Sequence, residues 1–526
     1  MKRFTVALAL SSLALTGCVA TDDQDQITIG SAGNLRSLDP VSFYSPQEFV
    51  IGHNLFPMLV NSTPDGDEFV GDVAEEFSFV EPRVFEATVK EGLVFANGNT
   101  LDASDVAFSL NRQMSIQDPA GPWGLLGIVD NVTAPDPLTV RIETNLAYPS
   151  TLLAILSSYP GQIVDEEVFP SDSVLSNEEV LDSGAFAGPY TVESHSFPEF
   201  ITFRANPIYQ GPFPKGNNEL VTLRMFSDNT NAVLALQSGE IDFMNVYRTL
   251  TASDTAALAE SDEFDFQLGS QVDPGYVVVD HDNGPFGMND GNDPQKAKAV
   301  RSAVAHLIDR EQITEEIYLG FASPAYSSVP TEIAGHFDAF TGLYGDGSGG
   351  PSLEAAQDEF DEAGITGVIE LKFAYSVGRF GPNLPDAVAM IKNQLEASGL
   401  FSVELIADEH QSLKERGRNG EFDLIWRQWG PDYPDADNFV STLIDVASVG
   451  YDQTELDPLQ ESQKTIEDQG ARMLVLEELQ TKIAEDLVII PIAYFGQGGL
   501  TVDGLTGVDN ALAKNFKFQF SYLSKN

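Results

Sequence analysis

Residues 421–439, EFDLIWRQWGPDYPDADNF, join a strand-like run to an acidic loop. Alternation along the run predicts a strand with Arg427 and Trp429 on one face and Trp426 on the other. Asp432 then lies just past the carboxyl end of this strand, where open α/β sheets usually bind ligands. A carboxylate there supplies charge and the neighbouring indole supplies apolar area, which together suit a cation. The stretch therefore predicts a strand followed by a binding loop.

Other roles for these aspartates find less support in the rest of the chain. A metal site needs further ligands, and the six histidines stand apart without metal-binding spacing. A nucleophile-based hydrolase is disfavoured because no G-x-S-x-G elbow occurs and the one cysteine is near the N-terminus. The sequence thus predicts no catalytic residues, no metal and no cofactor, and a protein that is not an enzyme.

Strand and helix patterns alternate along most of the chain, which predicts an α/β fold. Asp102 or Ser104 is expected to cap a helix that follows the turn at Asn97 and Gly98. Residues 296–319 are expected to form one helix that stops at Gly320.

Composition sets broader limits. The chain has 526 residues and is 42% hydrophobic, a length that suggests roughly three domains. It carries 28 Lys plus Arg against 80 Asp plus Glu, for a net charge of −52. An aromatic content of 10% argues against disorder. Because phosphate binding needs a basic surface, nucleic acid is not expected as a partner.

The first residues predict export from the cytoplasm. Lys2 and Arg3 precede an apolar run over residues 4–15, which is too short to span a bilayer. Residues 15–18, LTGC, resemble the cleavage box of a bacterial lipoprotein signal, with Cys18 as the lipid-modified residue. Since Cys18 is the only cysteine, no intramolecular disulfide is possible.

Seven further segments occur in an order that resembles one family. They are SLDP (37–40), FANGNTLDASDVAFSL (95–110), GPYTVES (188–194), FRANPIYQG (203–211), LQSGEIDFM (236–244), VRSAVAHLIDREQI (300–313) and GPDYPDADNF (430–439). Together they resemble the solute-binding proteins of peptide-type ABC importers, the dipeptide- and oligopeptide-binding proteins of extracellular family 5. The similarity covers essentially the whole chain after the signal.

This resemblance implies an α/β fold of the periplasmic-binding-protein-like type II class. Two α/β lobes with hinge crossovers, plus an extra domain, would close over a ligand by hinge motion. The predicted organisation is a signal peptide (1–17), a lipid-anchored tether (18–25), lobe I (26–57, 185–276 and 488–526), an extra domain inserted in lobe I (58–184) and lobe II (277–487).

The resemblance also implies how a peptide would be held. In peptide-binding members an aspartate of the GPDYP-like loop takes the α-ammonium, which corresponds to Asp432 here. In dipeptide-binding members an arginine ahead of the following helix takes the α-carboxylate, and Arg379 in SVGRFGPNLPD stands at that place. Asp435 and Asp437 are expected to shape the loop.

Six more residues complete the expected ligand contacts. Trp429 would stack near the N-terminal residue of the peptide, with Tyr494 as its neighbour. Arg427 lies close to a basic position of longer-peptide members but one residue out of register. The first turn would add backbone or polar contacts from Asn34, Leu35 and Arg36.

The expected function is therefore capture of short peptides outside the cytoplasm and their delivery to an ABC permease and ATPase complex. The protein would be a monomer anchored through its N-terminal lipid, at the outer face of the cytoplasmic membrane or in the periplasm. Two alternatives remain open: a non-peptide cargo such as a metal chelate, haem or sugar, and an extracytoplasmic hydrolase. Signalling or chaperone duty could coexist with transport.

Overall fold

A computed structural model describes residues 26–32, 35–63, 66, 68–261, 263–288, 293–447, 449–512 and 517–525. The predicted signal, Cys18, the tether and Asn34 lie outside these residues. No helix of the described part is long and apolar enough to cross a bilayer.

Strands account for much of the described chain. In chain order they are β1 (Gln26–Ala32), β2 (Val60–Ser62), β3 (Phe69–Gly71), β4 (Ala74–Glu81), β5 (Val84–Val89), β6 (Val129–Asp136), β7 (Thr139–Thr144), β8 (Tyr190–Ser196), β9 (Phe200–Ala205), β10 (Leu220–Phe226), β11 (Phe243–Asn245), β12 (Phe264–Leu268), β13 (Asp273–Val279), β14 (Ala322–Pro324), β15 (Ile369–Ser376), β16 (Phe401–Asp408), β17 (Leu424–Gln428), β18 (Ile489–Phe495), β19 (Gly498–Val502), β20 (Leu505–Thr506) and β21 (Ser524–Lys525).

Helices cover the faces of the larger sheets. They are α1 (Pro46–Leu55), α2 (Ala103–Ile116), α3 (Leu152–Leu156), α4 (Asn177–Asp182), α5 (Asn229–Gln237), α6 (Ala252–Ala259), α7 (Pro294–Leu307), α8 (Arg310–Gln312), α9 (Leu353–Glu362), α10 (Leu384–Ala397), α11 (His410–Arg418), α12 (Leu443–Ala447), α13 (Asp457–Gln463), α14 (Gln469–Asp486) and α15 (Val508–Ala511).

Two mixed sheets form the cores of the two lobes. The seven-stranded sheet has the order β12-β19-β11-β1-β10-β9-β8, and β1 runs parallel to both β10 and β11. The six-stranded sheet has the order β14-β18-β13-β17-β15-β16, and β15 runs parallel to both β16 and β17. Parallel strands end at the same edge of a sheet, so each lobe presents one edge of carboxyl ends.

The chain crosses between these two sheets at two adjacent segments. One crossing joins β12 to β13 over residues 269–272, and the other joins β18 to β19 over residues 496–497. A Cβ added to Gly496 would lie 2.6 Å from the backbone oxygen of Ser270, so this close approach requires glycine. Since β13 and β18 pair within the six-stranded sheet, we propose that the lobes exchange at these segments. The predicted boundaries at 276 and 488 differ from this, because they place the start of β13 and all of β18 in lobe I.

The third unit is an antiparallel sheet with the order β4-β5-β7-β6, covered on one face by α2. Its core is made by apolar side chains between Leu59 and Ile163, and Tyr433 of lobe II packs into the same cluster. A buried ion pair ties this unit to lobe I: Arg112 on α2 donates to both carboxylate oxygens of Asp39, at 2.7 and 2.6 Å.

Local sequence signals predict some elements well and one badly. Asp102 caps α2 in a capping box, and β17 begins and ends within the predicted strand. The single helix expected over residues 296–319 is wrong. The helix α7 ends at Leu307 and Ile308 is extended, because the Asp309 side chain accepts the backbone N–H of Gln312 and caps a new helical turn.

Candidate functional site

A cavity of about 650 Å³ lies between the lobes, beside the carboxyl ends of β1, β10 and β11. Lobe I supplies most of its wall, including the end of β1, the start of α1 and residues 247–249. Arg379 enters the wall from lobe II, in the loop that follows β15. A volume of about 300–1,000 Å³ is usual for small-ligand sites, and the edge of carboxyl ends is their usual place in such sheets.

Asp432 lies just outside this cavity wall, in the loop that follows β17. Its side chain is buried, with the residue only 8% exposed. The Tyr44 hydroxyl donates to Oδ1 at 2.6 Å, and Tyr44 itself lines the cavity. The Asn438 amide reaches Oδ2 at only 3.5 Å, so this oxygen accepts one weak bond.

No cationic side chain of the described residues lies within ion-pair distance of the Asp432 carboxylate. Burial raises the pKa of this carboxyl to about 6, and the hydrogen bonds from Tyr44 and Asn438 offset only part of that effect. Burial, and then the Asp432 charge, raises the pKa of the Tyr44 phenol, which stays a proton donor. A carboxylate held only by neutral donors can accept a cationic group without first losing another.

The two other aspartates of the loop have different partners. Asp435 accepts from both terminal nitrogens of Arg472, at 2.5 and 3.0 Å. Asp437 accepts the hydroxyls of Tyr433 and Ser441, each at 2.8 Å, and also the amide of Gln463. These buried contacts fix the loop against α13 and α14 and thereby fix the position of Asp432.

Lobe II places two arginines near each other at its own edge of strand ends. Arg379 follows β15, and Arg427 is in β17; for both, burial lowers the pKa, with a smaller contribution from neighbouring guanidinium groups. No carboxylate of the described residues comes within ion-pair distance of either side chain. The buried Nη1 of Arg427 has no hydrogen-bond partner there. The guanidinium groups keep their charge, because arginine stays protonated in proteins.

The first turn after β1 lines the cavity, whereas the carboxyl end of β17 does not. Leu35 and Arg36 line it, and Arg36 is held by Glu48, whose Oε1 lies 3.6 Å from the arginine Nε. Trp429 is half-buried against the lobe II core and donates its indole N–H to Asn438 at 2.8 Å. Trp429 and Arg427 do not line the cavity. Asn34 lies outside the described residues.

Tyr494 does not have the ligand-facing position expected from the sequence. The residue is 1% exposed, and its hydroxyl donates to the backbone oxygens of Ser327 and Val329 at 2.8 and 3.0 Å. It also accepts the backbone N–H of Ser327 at 3.1 Å. The reason is its place in β18, the second strand of the six-stranded sheet, whose side chains are all buried. Tyr494 anchors a lobe II loop.

Several lining residues have no strong signal in the sequence. Tyr44 and Arg248 are the clearest examples, since both line the cavity and both contact an aspartate of lobe II. Arg248 donates to Asp273 at 2.6 Å and has a φ of 58°, in the left-handed region that non-glycine residues seldom adopt. That backbone exception is a mark of functional sites, but it is invisible before the structure is known.

Within the described ranges, no group of three or more His, Cys, Asp or Glu side chains is arranged to hold a metal ion. The site instead offers one buried carboxylate, Asp432, that has no cationic partner among the described residues, together with several guanidinium groups and a cavity between two lobes. This arrangement can hold a solute with charges of both signs.

Comparisons with known proteins extend this description. The family model "Bacterial extracellular solute-binding proteins, family 5 Middle" matches residues 68–450. The periplasmic oligopeptide-binding protein OppA of Escherichia coli strain K12 is 22% identical over 552 aligned positions, covering 98% of this chain and 98% of OppA.

Two solved structures have a similar fold. DppA from Helicobacter pylori in complex with peptide STSA gives a TM-score of 0.72 at 19% identity, covering 95% of this chain and 98% of that one. NikA from Brucella suis in complex with Fe(III)-EDTA gives 0.80 at 19% identity, covering 95% and 100%. Both have the type II periplasmic-binding-protein fold, so the predicted fold class is confirmed.

Proposed function

Because this chain belongs to the bacterial extracellular solute-binding proteins of family 5, we propose that it captures short peptides by their charged termini and delivers them to an ABC importer. Members of this family bind solutes outside the cytoplasm and work with an ABC permease and ATPase; they are binding proteins, not enzymes. The name of OppA and the STSA peptide in DppA support a peptide as the cargo here.

The observation that carries this proposal is the buried carboxylate of Asp432 beside the cavity. An ammonium group needs a charge and acceptor atoms, and the weakly bonded Oδ2 supplies both. The Tyr44 hydroxyl can remain on Oδ1 while an ammonium binds Oδ2. A peptide N-terminus near Tyr44 would therefore meet a charge whose burial makes the interaction strong.

Arg379 provides the opposite charge for the other end of the peptide. It lines the cavity, and no described carboxylate neutralises it. A guanidinium group binds a carboxylate with two parallel hydrogen bonds, which fixes direction as well as register. Anchors at both ends select for free termini and leave the side chains between them less constrained, as broad peptide recognition requires.

We further propose that Cys18 carries the lipid that keeps the mature protein, as a monomer, at the outer face of the cytoplasmic membrane. The first strand starts at Gln26, so residues 18–25 would form a short tether between lipid and lobe I. Incorporation of a labelled fatty acid should be seen in the wild type and lost in Cys18→Ala. Label that persists in this variant would exclude Cys18 as the attachment site.

Two measurements test the peptide proposal. Mass spectrometry of solutes that co-purify with the protein should find short peptides with free termini; a metal chelate, haem or sugar instead would support the alternative cargo. Calorimetry with one tripeptide in free, N-acetylated and C-amidated forms should then show at least tenfold weaker binding for each blocked form. Equal affinities for all three would contradict capture by the termini.

A further inference from the structure

The charges that line the cavity are the reverse of those in the whole chain. Acids outnumber bases in the sequence by 80 to 28. The cavity, in contrast, is lined by Arg36, Arg248 and Arg379, and no Asp, Glu or Lys of the described residues belongs to its wall. A local excess of positive charge in a cleft favours an anionic ligand, even though the protein as a whole is acidic.

Nearby acids balance only part of this charge. Glu48 pairs with Arg36 and Asp273 pairs with Arg248, both from outside the wall. Arg379 and the adjacent Arg427 have no such acid among the described residues. His410 lies near both arginines, and burial, followed by their charges, lowers its pKa to about 4, so it is neutral at neutral pH. Two uncompensated positive charges therefore remain at this end of the cleft.

Arg248 and Arg379 are the two lining arginines that come close to each other across the lobes. Burial, and then the charge of Arg248, lowers the pKa of Arg379. The guanidinium groups of Arg248 and Arg379 lie over the same ring, that of Phe380, at 5.4 and 5.7 Å. The buried Nε of Arg248 has no hydrogen-bond partner in the described part of the chain. Arg248 bonds Asp273 through one terminal nitrogen and its side chain stays 26% exposed, so the guanidinium keeps accessible donors for a ligand.

Resting on the proposed function, we propose that the cleft prefers peptides whose last residue is acidic, so that two carboxylates bind beside Arg379 and Arg248. The α-carboxylate would take Arg379, and the side-chain carboxylate of a C-terminal Asp or Glu would take Arg248. A dianion also relieves the mutual repulsion of these arginines and Arg427, which a single carboxylate does only in part. Neutral C-terminal residues would bind more weakly and basic ones most weakly.

Three peptides that differ in one group test this preference. Calorimetry with Ala-Ala-Glu, Ala-Ala-Gln and Ala-Ala-Lys compares an acid, its neutral isostere and a base on the same backbone. We expect the Glu peptide to bind at least tenfold more tightly than the Gln peptide. Equal or tighter binding of the Gln peptide would overturn the preference while leaving peptide capture intact, whereas no binding of any of the three would count against the proposed function itself.

The role of Arg248 is tested with a paired variant, because Arg248→Gln alone would leave Asp273 buried without its cation. In Arg248→Gln combined with Asp273→Asn, the ratio of Glu to Gln peptide affinities should fall to within threefold of one, and the Gln peptide should keep its affinity within threefold. Arg224→Gln, at a surface arginine paired with Glu240, is the matched control and should keep the tenfold ratio. A ratio that survives in the paired variant would remove Arg248 from the site.

Discussion

Buried charges at the junction of lobe I with the extra domain can be compared with those at the cleft. Asp39 and Arg112 are both buried, and two short hydrogen bonds join them. At the cleft, Tyr44 and Asn438 are the only described side chains that donate to Asp432, and Arg379 has no described acid within ion-pair distance. The first arrangement satisfies its charges within the fold, and the second leaves charges of both signs for a ligand.

The two arrangements should respond differently, in their free energy of unfolding, to the loss of a charge. Removing one partner of a buried pair destabilises a protein strongly, because the remaining charge is left without compensation. A buried charge that already lacks a counter-ion is itself unfavourable for folding, so neutralising it should not lower stability. Variants at the junction should therefore affect unfolding, and variants at the cleft should affect binding.

The largest effect is expected at the junction. Asp39→Asn leaves Arg112 buried without a carboxylate and should lower the free energy of unfolding by about 3–5 kcal/mol, measured by denaturant titration. Asp130→Asn, in the exposed pair with Arg83, is the control and should cost less than about 1 kcal/mol. Similar losses of unfolding free energy in both variants would mean that the buried junction pair stabilises the fold no more than an exposed pair does.

The next largest effect is expected at Arg379, which lines the cleft from lobe II. Arg379→Gln should weaken binding of a peptide with a free C-terminus by at least tenfold in calorimetry, because the carboxylate loses its guanidinium partner. The melting temperature should not fall. The same variant should bind the C-amidated peptide as the wild type does, and a further tenfold loss with that peptide would point to damage elsewhere in the cleft.

A pH profile sharpens the comparison at Asp432. Its pKa of about 6 in the free protein means that an ammonium ligand loses its carboxylate as the pH falls through 6. Peptide affinity should therefore fall about tenfold between pH 7 and pH 5, since one pH unit below the pKa the group is about nine-tenths protonated. Calorimetry on Asp432→Asn should give a nearly flat profile, and an equal slope in this variant would assign the titration to another group.

The raised pKa of Asp432 also determines the direction in which folding stability changes with pH. Because the pKa of Asp432 in the folded protein lies above its unfolded value, the folded state binds the proton more tightly. Its contribution to stability is fully present at low pH and is lost as the pH rises through about 6. Asp432→Asn removes this loss, so its melting temperature at pH 7 should be no lower than that of the wild type.

The smallest effect concerns the rate of association. At long range, an anionic peptide is repelled by the acidic surface before it can be attracted by the cleft arginines. Added salt weakens this long-range repulsion more than it weakens the short-range attraction. The association rate constant of Ala-Ala-Glu should rise a few-fold in stopped-flow measurements as salt increases from about 20 to 200 mM. For Ala-Ala-Lys it should fall, and the same trend for both peptides would rule out steering by the overall charge.

The sequence predicted the fold better than it predicted the site. The ordered segments, the alternation in β17 and the Asp102 cap depend on short stretches of chain, and such local signals are readable from one sequence. The break at Ile308 was missed because the apolar spacing continues through it, and the cap at Asp309 overrides that spacing. The ligand contact expected for Tyr494 came from the resemblance alone, and the structure instead buries every side chain of β18, as its continuous apolar run allows.

Contacts at the cleft join residues that are far apart in the chain. The bond from Tyr44 to Asp432 spans 388 positions, and no local pattern indicates it. The position of Asp432 after a strand was readable, since the loop follows β17 directly. Among the described residues, Asp432 has no cationic partner, whereas Asp435, three positions later in the same loop, pairs with Arg472 of α14. Only the three-dimensional arrangement reveals this difference.

The central claim is that Asp432 holds the α-ammonium of a peptide. A thermodynamic cycle measures it directly: calorimetry of wild type and Asp432→Asn with one tripeptide, free and N-acetylated. Acetylation should weaken binding to the wild type at least tenfold, Asp432→Asn should weaken binding of the free peptide by a similar factor, and acetylation should cause no further loss in the variant. An Asp432→Asn protein that binds the free peptide with wild-type affinity, or that still loses tenfold on acetylation, would contradict the claim.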